Sequence, residues 1–453
     1  MRTLSFAFLF VSFLWPVPFS ESAEPNKPAE PESRQTIHQK PTAGDLPLDQ
    51  AISRALQGNP SLAAGSFAVS AAEARITQAG LFPNPEISIE AENFGGQGEI
   101  AGYNAAETTA VISQPIPLGP RRGRGRAVAK SGHLLAGRDF EAVRLDVIAD
   151  TTSAFYRVLA AQKRQELVEK MLELANRFLR TVQARVDAGK VSPVEATRAS
   201  VEVAQTRVRL ARAARELEAA RALLSATWGS SVPDFSRATG DLPEPTESPA
   251  LGQLQEYLRH APEITRLEEQ IELRERAVDF ERSSRIPDLT ISVGPRRFEQ
   301  TGDSAWVAGL SVPVPIFDRN QGNRKAAKFE LERTRHEVRG TRIDLEAELA
   351  ATLERLQAAA TEVSVMGTEV VPSANEAFLA TETGYSAGKF GFLDLLDAQR
   401  ALFETHSLLL DSREEYALTR TGLERLIGRE MDSDFPQRPQ ADTNPKENNN
   451  EIH

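Results

Sequence analysis

A turn that occurs twice limits this chain more than any other feature. Gly384-Tyr385-Ser386-Ala387-Gly388-Lys389-Phe390-Gly391 stands between two helical patterns and carries three glycines in eight residues. Glycine breaks helices and admits positive φ, so the stretch predicts a tight helix–helix turn. Asp394 and Asp397 follow at the start of the next helix, on one face and near its positive dipole end. Arg185-Val186-Asp187-Ala188-Gly189-Lys190-Val191 makes the same turn upstream. Gly388 follows Gly189 by 199 positions, and Asp394 follows Glu195 by the same 199. A fold that honours this spacing is built from two copies of one unit.

The duplication divides the 453 residues into a first repeat at 46–229, a connector at 230–250 and a second repeat at 251–428. In the first, Ile87, Ile89 and Ala91 alternate with Glu86, Ser88, Glu90 and Glu92, which predicts a strand over about 86–93. A second strand is predicted over about 107–114, ended by Pro115, which cannot donate to a ladder. A proline-free helical pattern then runs from Arg121 to Val186, and about 65 residues at ~1.5 Å each reach roughly 100 Å. The tip at 187–193 and a returning helix from Pro193 to about Trp228 complete the unit. The second repeat has strands over about 288–294 and 304–312, with a polar loop at 295–303 between them. A long helix follows, with a kink expected at Pro372, then the tip at 384–392 and a last helix to about Ile427.

The ends differ in character. Arg2 and the apolar run from Leu4 to Trp15 read as an export signal over 1–22, too short to span a bilayer as a helix. Residues 23–45 read as a flexible leader and 429–453 as a disordered tail. No other apolar run is long enough for a membrane helix, so any insertion must use strands.

Composition removes several functions. The net charge of −11 argues against a nucleic-acid partner, although Arg121-Arg122-Gly123-Arg124-Gly125-Arg126 is locally basic. With no cysteine, disulfides, thiol nucleophiles and an N-terminal lipidated Cys are excluded. No two of the six histidines stand three to five apart, so no metal site is predicted. The Gly-Lys pairs lack the phosphate-loop context, no catalytic constellation is present, and neither a cofactor nor enzymatic activity is expected.

Two strands per repeat give four per chain, and four cannot close a barrel free of edges. Three chains would give twelve, a sensible number for a symmetric barrel. The expected fold is mainly α with a small membrane β-barrel part. A trimeric twelve-stranded barrel would continue into a long periplasmic barrel of helices packed as coiled coils.

The order of strand hairpin, long helix, glycine turn and returning helix, twice over from Leu46 to Ile427, resembles the TolC-like outer-membrane efflux proteins. Ala51 to Pro60 (AISRALQGNP), Ser113 to Gly123 (SQPIPLGPRRG) and Val186 to Arg198 (VDAGKVSPVEATR) are most similar to the CzcC-like subfamily, which serves heavy-metal cation pumps. The resemblance implies a homotrimer in outer-membrane lipid whose periplasmic tip docks on an adaptor (membrane fusion) protein and an inner-membrane RND pump. It implies a passive duct, with drugs or type I secreted proteins as alternative cargo; a pore-free periplasmic coiled-coil scaffold is the alternative from another class. By matching position, Tyr385, Asp394 and Asp397 correspond to gate residues. Phe390 stands where some members carry an Arg that pairs with the gate acids, so an apolar plug is expected there. Gly189, Lys190, Gly388 and Lys389 correspond to adaptor-docking tips.

Overall fold

The computed structural model describes residues 44–431. The export signal at 1–22, the leader up to residue 43 and the tail from 432 lie outside the described residues. Short helices α1 (Leu48–Gly58) and α2 (Pro60–Ala79) meet at Asn59. Its side-chain oxygen accepts the Ser61 N–H at 2.8 Å and its amide donates to the Thr227 carbonyl at 2.8 Å. The cap thus also ties α2 to the far end of the first repeat.

Helix α3 (Arg121–Asp187) runs 67 residues without interruption, about 100 Å of rise. It returns as α4 (Pro193–Ala226), whose proline occupies the first turn, where its missing N–H is harmless. The second repeat supplies α5 (Leu251–Arg259), α6 (Pro262–Ser283), α7 (Gln321–Val365), α8 (Val371–Ser386) and α9 (Phe392–Ile427). Between α7 and α8, near the expected kink, the helix passes through a π-helical turn, Met366–Val370. Pro372 lies just beyond it. The backbone stays helical through Pro372, which falls in the first turn of α8.

The strands β2 (Glu86–Glu92), β3 (Glu107–Pro117), β5 (Asp288–Phe298) and β6 (Ser304–Ser311) form one antiparallel sheet in the order β2-β3-β5-β6. The two hairpins join through β3 and β5, with Ile112 opposite Val293. Proline does not stop these strands where the sequence predicts. β3 continues through Pro115 to Pro117, because pairing with β2 ends at Ser113 and the far side of β3 is then an edge. β5 continues through Pro295 into what is expected as loop. Its pairing with β3 is interrupted at Gly294 and Pro295, so the absent N–H falls in a gap.

One face of the sheet is apolar and open: Ile89, Trp306 and Leu310 are 75%, 79% and 75% exposed. The other face is polar. There Arg296 donates to Thr109 Oγ1 at 2.9 Å and Glu107 at 3.0 Å and pairs with Glu92 at 3.4 Å, linking three strands. Both outer strands keep a free edge. Among the described residues no helix is long and apolar enough to cross a membrane.

A second, small sheet is not predicted by the sequence. β1 (Asp45–Pro47) pairs in parallel with β4 (Arg237–Thr239), midway along the long helices. Gln162 of α3 holds β4 by donating to the Ala238 carbonyl at 3.0 Å and accepting its N–H at 2.8 Å. Leu46 and Ala238 are buried with Phe155, so ordered structure begins inside the expected leader and reaches into the connector. Met431 is likewise packed with Ile427, past the expected start of the tail.

Candidate functional site

The two glycine turns are superimposable in their hydrogen bonds. Gly189 takes φ +68° and Gly388 φ +74°, the left-handed region that favours glycine. Gly189 N–H donates to the Val186 carbonyl at 2.8 Å and Lys190 N–H to that of Arg185 at 2.9 Å. Gly388 donates to Tyr385 at 3.0 Å and Lys389 to Gly384 at 2.8 Å, each partner shifted by the same 199 residues. This double bond closes a helix C-terminus by satisfying carbonyls that have no helical partner. Lys190 and Lys389 are exposed at the ends of the turns.

The turns lie together at one end of the helices. Phe178 and Val182 of α3, Ala199 of α4, Phe378 and Tyr385 of α8, and Phe392 and Leu395 of α9 form one buried cluster. Tyr385 is 3% exposed, with its ring 6.0 Å from that of Phe392. Arg185, from the other repeat, lies 4.5 Å over the Tyr385 ring and donates to the Tyr385 carbonyl at 3.0 Å. The Tyr385 hydroxyl is buried without a hydrogen-bond partner. Burial, and then the Glu195 carboxylate, push its pKa above the usual tyrosine value against the opposing pull of Arg185. The hydroxyl is therefore neutral at physiological pH.

Phe390 is half exposed, and its ring lies against Gly384 so closely that no side chain fits there. Asp394 is exposed, and Oδ2 accepts the Gly391 N–H at 2.8 Å, capping α9. Asp397 is exposed and makes no hydrogen bond or ion pair among the described residues. The Asp394 counterpart, Glu195, does not cap; one of its carboxylate oxygens is buried without a partner.

The sequence reading misses Arg185 and a second cross-link two turns up from the tip. Glu202 of α4 has a side chain 4% exposed and receives Arg400 of α9 through Nε at 3.1 Å and Nη2 at 2.7 Å, with Arg209 at 3.6 Å. A signal was present in the differences between the two copies. At the shared spacing, Arg185 corresponds to Gly384, Val186 to Tyr385 and Val191 to Phe390. In the first two pairs the large residue, Arg185 or Tyr385, is the one that makes the inter-repeat contact, while Phe390 packs on Gly384 of its own repeat.

The family described as outer membrane efflux protein matches residues 51–230 and 253–429. The chain is 34% identical over 393 residues to the cobalt-zinc-cadmium resistance protein CzcC of Cupriavidus metallidurans, covering 87% of this chain and 92% of that protein. It is 27% identical to the nickel-cobalt-cadmium resistance protein NccC of Alcaligenes xylosoxydans xylosoxydans, over 68% and 71% of the two chains. The CmeC outer membrane channel of Campylobacter jejuni has the same fold, with a TM-score of 0.72 at 17% identity, over 85% and 87% of the two chains.

Proposed function

Since the chain belongs to the outer membrane efflux protein family, we propose that three copies form a passive export duct for heavy-metal cations, served by a periplasmic adaptor and an inner-membrane pump. The observation that carries the cargo is the 34% identity to a cobalt-zinc-cadmium resistance protein over nearly the full length of both chains. Location in the outer membrane follows from the family, and the open apolar face of the sheet supplies the lipid-facing wall. Deleting the gene in its host tests the cargo. Tolerance to cobalt, zinc or cadmium salts is expected to fall while tolerance to organic drugs stays constant. The opposite pattern assigns the duct to organic cargo.

The trimer is supported by the edges that one chain leaves open. Helix α4 packs on α3, α3 on α9, and α9 on α7 and α8, so α4 and α7–α8 are outermost. Val194, Val201 and Val208 are exposed on α4 at heptad spacing, and Val365 and Leu379 are exposed on the opposite edge. The edges are also opposite in charge. Helix α4 carries six arginines against four glutamates, while residues 344–386 carry eight acids against Arg355 alone. A head-to-tail interface of this kind closes into a ring, and the free edges of β2 and β6 close in the same operation. Val201→Asp with Val208→Asp puts two charges into that seam, at a cost of about 3 kcal/mol or more per interface. The heat-resistant trimer band on gels is expected to give way to monomer; an unchanged band excludes this seam.

At the tip, Tyr385, Phe390, Asp394 and Asp397 form the gate, and Gly189-Lys190 and Gly388-Lys389 meet the adaptor. The inter-repeat contact of Arg185 with Tyr385 supports the closed state, and the two exposed acids supply up to six carboxylates in a trimer, which favour cations. Asp394→Asn with Asp397→Asn is expected to shift the reversal potential of single channels in a salt gradient away from cation preference. Unaltered selectivity removes these acids from the gate.

A further inference from the structure

The basic run Arg121 to Arg126 is not used by any role above. It opens α3 where the sheet ends and the helices begin. Arg124 is already committed, to Asp279 at 2.8 Å. Arg121 and Arg122 make no ion pair among the described residues and lie instead against aromatic rings. The Arg122 guanidinium is 3.6 Å from the centre of the Phe82 ring, and that of Arg121 is 5.8 Å from the centre of the Phe280 ring. Between them is a cavity of about 430 Å³ lined by Leu81, Pro83, Arg121, Arg122, Phe280 and Asp288. Asp288 is the only carboxylate of that lining, and neither arginine pairs with it.

The surroundings are apolar and exposed. Leu81, Phe82, Leu118 and Ile286 are 55%, 62%, 56% and 43% exposed at the same junction, and Ile316 and Phe317 continue the belt where β6 passes into α7. Leu81 and Phe82 precede β2 and Leu118 follows β3, so the belt lies at the end of the sheet. An unpaired guanidinium held over an aromatic ring, beside a small cavity and at the end of a lipid-facing wall, has the chemistry of a phosphate-ester clamp. Guanidinium forks match phosphate oxygens in pairs, and the apolar belt accepts the acyl chains next to them.

We propose that Arg121 and Arg122, with Phe82 and Phe280, hold the phosphate head group of a phospholipid from the membrane leaflet facing the helices. The cavity takes the head group and glycerol, and the chains run outward over Leu118 and Ile286. The site fixes the depth at which the sheet sits and so the height of the helices below it. It rests on reading the sheet as a membrane wall.

The test uses the intact protein in lipid nanodiscs. After transfer to detergent, native mass spectrometry counts retained lipid on the wild type and on Arg121→Gln/Arg122→Gln. Phosphatidylglycerol retention is expected to fall about 10-fold or more in the variant, since each arginine near a charged lipid surface contributes roughly fivefold. Wild-type retention of a phosphate-free galactosyl diacylglycerol is expected to match the low level of the variant. Equal retention by wild type and variant, or equal retention of both lipids by the wild type, overturns the site. If the wild type does not enter the nanodisc at all, the membrane-wall reading itself fails, a distinct outcome. Arg124→Gln, whose partner is Asp279, serves as the control and is expected to retain lipid normally.

Discussion

Gly294→Val is expected to lower the yield of outer-membrane trimer by about 10-fold or more, with the chain accumulating unassembled. Gly294 lies in β5 where the two hairpins meet. A Cβ there would run into the Ala110 carbonyl oxygen and the Val111 Cα of β3, which are backbone atoms and cannot rotate away. Relief requires β3 and β5 to separate, and these strands are the only link between the two halves of the sheet. The cost is ~3 kcal/mol or more per chain, and a trimer incurs it three times. Gly309→Ala in β6 is the matched control. Its obstacle is the Ser292 hydroxyl at 2.7 Å, a side chain that can turn, so near-normal assembly is expected. Western blots of membrane fractions, with and without heating, read both.

Arg185→Ala is expected to open the tip. The side chain joins α3 of one repeat to α8 of the other through a charge-assisted hydrogen bond to the Tyr385 carbonyl and stacking on its ring. Together these contribute about 2 kcal/mol in a partly desolvated site. Three chains lose that together, so resting single-channel conductance in planar bilayers should rise several-fold. Arg185→Lys keeps the charge and loses the planar fork, and it should fall between the two. Arg198→Ala, at an exposed position on α4, should leave conductance unchanged. A closed channel in Arg185→Ala removes the latch. The Glu202–Arg400 link lies behind it, so combining Arg185→Ala with Arg400→Ala should open the tip further.

The parts of this fold that depend on nearby residues were legible in the sequence. Alternation at Glu86 to Glu92 marks a strand whose faces differ, and the Gly189 and Gly388 turns need glycine for their positive φ. The duplication could be read because it repeats these local signals at a fixed distance. Contacts between the copies were not legible. Arg185 meets Tyr385 across 200 positions and Glu202 meets Arg400 across 198, and neither pairing follows from any one helix. The β1–β4 pair is three residues per strand, too short to show a period. Pro115 and Pro295 misled for a related reason. Whether a proline ends a strand depends on which neighbour stands opposite, and that is a property of the sheet. The tip acids divide in the same way: Asp394 was legible as a helix-start residue and is used as one, while Asp397 makes no hydrogen bond or ion pair among the described residues.

Three copies of this chain, on this reading, form a pore. Single-channel recording of the purified trimer in planar bilayers tests it most directly, with Arg185→Ala included to hold the tip open. Discrete conductance steps are expected, larger in the variant, with a reversal potential in a cobalt chloride gradient that favours the cation. Trimers that insert stably into the bilayer and pass no current in either form would contradict it.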